Sequence, residues 1–211
     1  MFNQRKRRVA ILIFDDVEVL DFAGPFEVFG VSQYRPGAPA FDVSVVSLDG
    51  RPIRARNGLG VLAHAGPESA LMADIFVVPG GYGTRRLLAD PGARAVVTAA
   101  SHAAQATLSV CTGSLMLAAY GLLGGMAATT HVDAMDELRK IDPSIDLRPD
   151  ARLVDNGQLL TSAGVSAGID ASLHLVSRFA GRAVAVETAR YIQYDWRYAG
   201  VDDLDINPPG P

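Results

Sequence analysis

Cys111 is the one cysteine of this 211-residue chain and the strongest nucleophile it offers. It follows the apolar, β-branched run Ala106-Thr107-Leu108-Ser109-Val110 and precedes Thr112-Gly113-Ser114-Leu115-Met116. The first run predicts a buried strand and the second opens a helix, so the cysteine falls on the turn between them. That is the layout of a nucleophile elbow, in which a tight turn lifts a side chain above the sheet beside the N–H groups of a helix start. A helix N-terminus favours negative charge, so this placement is expected to lower the thiol pKa and favour the reactive thiolate. The alternative is an inert core cysteine, among the most commonly buried residues.

Thiol chemistry needs a proton carrier and hydrogen-bond donors. Leu20-Asp21-Phe22-Ala23-Gly24-Pro25 sets a carboxylate ahead of a predicted helix. Asp21 reads either as a helix cap or as a general acid or base facing the thiol, with Asp16 and Glu27 as weaker rivals. Gly80, Gly81 and Gly83 allow close backbone approach, and the Gly80-Gly81 N–H groups, with that of Thr112, are expected to stabilise negative charge on a bound intermediate. The glycine cluster lacks the spacing of a dinucleotide fingerprint. His131 follows Thr129-Thr130 and could pair with the cysteine, or serve structure alone. His64, His102 and His174 have no supporting context, and the four histidines show no metal-ligand spacing, so no metal is expected.

Strands and helices that alternate must position these residues. Apolar runs at 9–14, 41–48, 74–78 and 106–110 predict strands, the first buried on both faces, and 58–63 a short edge strand. Pro25 is expected in the first turn of a helix reaching residue 34. Helices are predicted over 87–104, with a break near Asp90-Pro91-Gly92, and over 112–121, 132–141, 167–179 and 183–194. A short strand is expected at 126–130, and Asp155-Asn156-Gly157 signals a hairpin between 152–154 and 158–161. This alternation indicates an α/β fold with a mostly parallel sheet. Sites in such sheets form at the carboxyl ends of strands. Three strands end in Pro79-Gly80-Gly81, Cys111-Thr112-Gly113 and Ser162-Ala163-Gly164, and their convergence would build a pocket around the thiol.

Composition sets the class. Hydrophobic residues are 49% and charged residues 20% of the chain, enough to form a packed core. The net charge of -4 gives no basic surplus for nucleic acid. No apolar run approaches the roughly 18 residues of a membrane span. The run after Arg5-Lys6-Arg7-Arg8 stops at Asp15-Asp16, too short for a secretory signal. One domain over residues 1–200, a flexible tail over 201–211 and a cytoplasmic location are the expectations.

Several segments together resemble the ThiJ/PfpI superfamily, with its class I glutamine amidotransferase-like fold. They are Leu20-Asp21-Phe22-Ala23-Gly24-Pro25, Val78-Pro79-Gly80-Gly81, Ser109-Val110-Cys111-Thr112-Gly113-Ser114-Leu115, Gly121-Leu122-Leu123 and Ala128-Thr129-Thr130-His131. The run from Leu160 through Ser162-Ala163-Gly164-Val165 to Asp170 continues the match. Within the superfamily the motifs are most similar to those of isonitrile hydratases. Peptidase members usually carry histidine after the nucleophile, where this chain has Thr112. Glyoxalase-like members usually carry glutamate where this chain has Asp21. The resemblance implies a flavodoxin-like three-layer sandwich, Cys111 as nucleophile, Asp21 as acid and base, and Thr112 as an auxiliary hydrogen-bonding residue. Gly80, Gly81, Gly164 and His131 would line the pocket. It implies hydration of an isonitrile to an N-substituted formamide through a thioimidate, without cofactor, in a homodimer. The apolar Phe26 and Phe29 of the first helix read equally as interface or as core residues. AraC-type regulators carry a similar domain as a ligand sensor, which leaves a non-catalytic sensor as the alternative, beside a glyoxalase-like enzyme. A regulator would need a helix-turn-helix pair, for which the chain after Trp196 is expected to leave no room.

Overall fold

The computed structural model describes residues 5–196 and 204–206. Its centre is a sheet built from β1 (Arg7–Ile13), β2 (Phe41–Ser47), β3 (Ile75–Val78), β4 (Ala106–Val110), β5 (Leu153–Asp155), β6 (Leu159–Ser162) and β7 (Leu204–Ile206), in the order β7-β5-β6-β4-β3-β1-β2. All neighbours are parallel except β5 and β6, which form the expected antiparallel hairpin. The β7 strand lies within the segment expected to be a flexible tail, and the rest of that segment is outside the described residues.

A parallel sheet must be covered on both faces, which is why its strands read as unbroken apolar runs. Every residue of β3 and β4 is buried, as are Val9 to Ile13 of β1. Helices α1 (Val19–Val31), α5 (Ala167–Ala180) and α6 (Arg182–Tyr191) pack together as one layer. Helices α2 (Pro91–Ala103), α3 (Gly113–Ala119) and α4 (Met135–Ile141) pack together as another. The three-layer α/β sandwich read from the sequence is the fold.

Some boundaries differ, for local reasons. Helix α1 begins at Val19, six residues before the expected start, and carries Pro25 in its interior. Pro25 has no N–H to give the carbonyl of Asp21, and burial of this apolar helix on the core outweighs that lost bond. The expected strand over 126–130 shrinks to Ala127–Ala128, and that over 58–63 to Gly60–Val61 in a separate two-stranded ribbon. Phe29 is fully buried and meets the Phe41 ring edge-on at 5.1 Å, so it is core and not an interface residue. Phe26 is half-buried, with its ring 6.0 Å from that of His64.

Candidate active site

Strand β4 lies in the middle of the sheet, and the ends of β3 and β6 flank its carboxyl end. The three predicted strand ends converge there. Cys111 has φ 55°, the left-handed conformation that a sharp strand-to-helix turn demands and that non-glycine residues avoid. Its environment fixes that turn. The Cys111 N–H donates to the carbonyls of Ser162 and Ala163, both at 3.2 Å. Its own carbonyl accepts from Thr130 Oγ1 at 3.0 Å and Ser114 Oγ at 3.1 Å. Gly113 is obligatory: a Cβ there would sit 2.0 Å from the Val78 carbonyl oxygen.

Asp21 stands in the first turn of α1, fully buried. The helix-cap alternative fails, because Glu18 is the N-cap residue and makes no side-chain cap bond. Asp21 Oδ2 accepts from the Gly80 N–H at 3.0 Å, while the buried Oδ1 makes no well-formed hydrogen bond. The carboxyl faces the Cys111 thiol closely enough for each group to shift the other's ionisation. Burial pushes Asp21 up to about 7, the Gly80 N–H opposes that rise, and the nearby Glu18 charge adds to it. Burial, followed by the Asp21 charge, pushes the thiol up to about 12. This corrects the expected lowering of the thiol pKa. Two backbone N–H groups do favour the thiolate, those of Thr112 and Val165, but loss of water and a facing carboxylate outweigh them. The resting pair is therefore a neutral thiol beside a carboxyl that titrates near neutrality.

The glycine turn plays a different part from the one expected. The Gly80 N–H is taken by Asp21, and the Gly81 N–H donates to Thr112 Oγ1 at 3.0 Å. Neither is free for an oxyanion. Thr112 ties the turn to the elbow, and Thr84 Oγ1 donates to the Gly81 carbonyl at 2.8 Å behind it. A Cβ on Gly80 would lie 2.5 Å from the Thr112 nitrogen and 2.9 Å from Asp21 Oδ2, so only glycine lets acid, turn and elbow meet.

His131 does not partner the thiol. Its Nδ1 accepts from the Asp133 N–H at 3.2 Å, and its ring covers Gly164, where a Cβ would come within 2.4 Å of Cδ2. His131 and Gly164 thus form a wall next to Val165. Asp16 pairs with Arg86 at 2.8 Å and Glu27 is exposed, which leaves Asp21 as the carboxyl that faces the thiol. His64 accepts from the Val45 N–H, and His174 pairs with Asp155 at 2.8 Å. Among the described residues no group of His, Cys, Asp and Glu is placed to hold a metal.

Sequence reasoning missed Val165, whose φ of 46° is unusual for a β-branched residue and aims its N–H at the sulfur. It also missed the Thr130 and Ser114 hydroxyls on the Cys111 carbonyl. All three lay within recognised motifs, but nothing in their residue types signalled these contacts.

The chain is 33% identical to isonitrile hydratase of Pseudomonas putida over 203 residues, 96% of this chain and 83% of that protein. It is 26% identical to the HTH-type transcriptional regulator GbdR of Pseudomonas aeruginosa, covering 92% of this chain but only 52% of the regulator. Among solved structures, a ThiJ/PfpI family protein from Pseudomonas syringae superposes with a TM-score of 0.79 at 26% identity, over 95% of this chain and 81% of that one. The sequence profile of the DJ-1/PfpI family matches residues 7–178, strand β1 through helix α5 with the elbow and its acid between them, and the chain belongs to that family.

Proposed function

We propose that the protein hydrates an isonitrile to an N-substituted formamide, with Cys111 as nucleophile and Asp21 as proton carrier. The observation that carries this reading is a buried thiol facing a buried carboxyl closely enough for each to shift the other's ionisation, at a turn whose Gly80 and Gly81 N–H groups are already committed. Acyl transfer needs free donors for an oxyanion. An isonitrile does not: its terminal carbon must gain a sulfur and a proton, and no charged oxygen develops as they add. The –N≡C group is also slender, which suits a thiol only 5% exposed. The similarity to the Pseudomonas putida isonitrile hydratase over nearly the whole chain supports the same assignment.

In the first step the sulfur bonds to the isonitrile carbon. Protonated Asp21 gives its proton to that carbon, and the thiol proton passes to the Asp21 carboxylate. The product, R–N=CH–S–Cys111, is a thioimidate. Water then adds to the same carbon as Asp21 takes a water proton and hands one to nitrogen. The C–S bond breaks, the sulfur recovers a proton from the new hydroxyl, and R–NH–CHO leaves. The Thr112 and Val165 N–H groups hold the sulfur as it gains negative charge. A carboxyl that titrates at about 7 suits a group that must both give and take a proton.

The test is formamide production from cyclohexyl or p-nitrophenyl isocyanide. Turnover by the wild type that is lost in Cys111→Ala supports the proposal, and a well-folded wild type without turnover on either compound overturns it for such substrates. A second reading, a ligand sensor without turnover, is favoured by the likeness to half of GbdR. It expects saturable binding of a small molecule with no product.

A further inference from the structure

Val165 is held in its left-handed conformation by something outside its own turn. Residues in such regions are strained and persist only where their surroundings fix them. Next along the chain, Ser166 is the N-cap of α5 yet makes no cap bond. Its hydroxyl instead accepts from Arg152 Nη2 at 3.2 Å. The same guanidinium grips Asp170, in the first turn of α5, with Nε and Nη2 at 2.7 and 2.6 Å from Oδ2. Tyr194 Oη donates to that Oδ2 at 2.9 Å. The backbone of Arg152 joins in, since its carbonyl accepts from the Ala163 N–H at 3.0 Å. Arg152 therefore fastens both ends of the segment 163–166, whose centre presents the Val165 N–H to sulfur.

We propose that Arg152, with Asp170, is a positioning residue for the reacting thiol: it holds Val165 strained so that the Val165 N–H stays on Sγ. Neither residue touches the reacting atoms. Loss of the latch lets Val165 relax to an ordinary φ and turns its N–H away, leaving Thr112 as the remaining backbone donor. The inference rests on Cys111 being the reacting group and not on an isonitrile being its substrate.

The experiment measures alkylation of Cys111 by iodoacetamide across pH 7–10, in the wild type, Arg152→Met, Asp170→Asn and Arg178→Met. Because one charge-assisted hydrogen bond is removed, the rate in Arg152→Met and Asp170→Asn is expected to fall about tenfold at each pH below the thiol midpoint. Arg178→Met breaks an ion pair with Asp155 farther along α5, 3.7 Å in length, and is expected to keep the wild-type rate. Asp21, the charged group facing the thiol, is untouched in all four proteins. Wild-type or faster alkylation in the folded latch variants overturns the proposal, as does an equal fall in Arg178→Met. Should Arg152→Met not fold, Asp170→Asn is read alone with the same two outcomes. Failure of isonitrile turnover leaves this measurement unaffected, so the two proposals fail separately.

Discussion

At the scale of the residue, one buried carboxyl carries both the proposed proton transfers and a pH-dependent share of stability. Asp21 titrates at about 7 in the fold against an ordinary 3.8, so the folded state keeps its proton over a pH range where the unfolded chain has lost it. The unfolded chain therefore binds fewer protons there, and stability falls as pH rises from about 4 to about 7 and stays lower above. Asp21→Asn removes this penalty. Its thermal midpoint is expected to exceed that of the wild type at pH 8, with the gap closing toward pH 4 in parallel melts. Turnover should move the other way, because loss of a general acid and base lowers rates by about 10²–10⁴. A steady-state assay with a simple isonitrile reads that loss, and unchanged kinetics would remove Asp21 from the mechanism.

At the scale of the element, the elbow works because three strand ends approach more closely than side chains normally allow. Gly113→Ala would drive a methyl into the Val78 carbonyl, and overpacking of this kind costs about 1–3 kcal/mol, to be read as a lower urea midpoint with unchanged slope. Thr112→Val is expected to cost about 1–3 kcal/mol for a different reason, since it strands the buried Gly81 N–H. The elbow strand was fully legible in the sequence, because a five-residue run with four apolar or β-branched residues between turn signals can form little else in an alternating chain. The acid and the nucleophile were legible as residue types in motifs. The ionisation of the pair was not. The argument from the helix terminus is local, whereas burial and the facing carboxylate come from residues ninety positions apart in the chain. The occupation of the Gly80 and Gly81 N–H groups was hidden likewise, because hydrogen-bond partners across strands leave no trace in spacing. Helix α1 was misplaced by a rule that puts proline in first turns, which tertiary burial overrode.

At the scale of the whole molecule, the site hangs on a sheet sealed by helices on both faces, and damage far from the thiol should reach it through stability. Phe29 packs between α1 and β2 against Phe41, fully enclosed. Phe29→Ala is expected to lose about 3–5 kcal/mol, seen by chemical denaturation, with residual turnover per folded molecule near that of the wild type. The raised thiol pKa has a further consequence for life in an oxidising spell. Peroxide attacks thiolate, and a thiol that titrates at about 12 exposes almost none of it at neutral pH. On the proposed mechanism, Cys111 is armed only when a reactant sits beside it, so otherwise it is chemically quiet. Proteins that keep a standing thiolate are quickly silenced by hydrogen peroxide, whereas Cys111 should outlast free cysteine in the same solution.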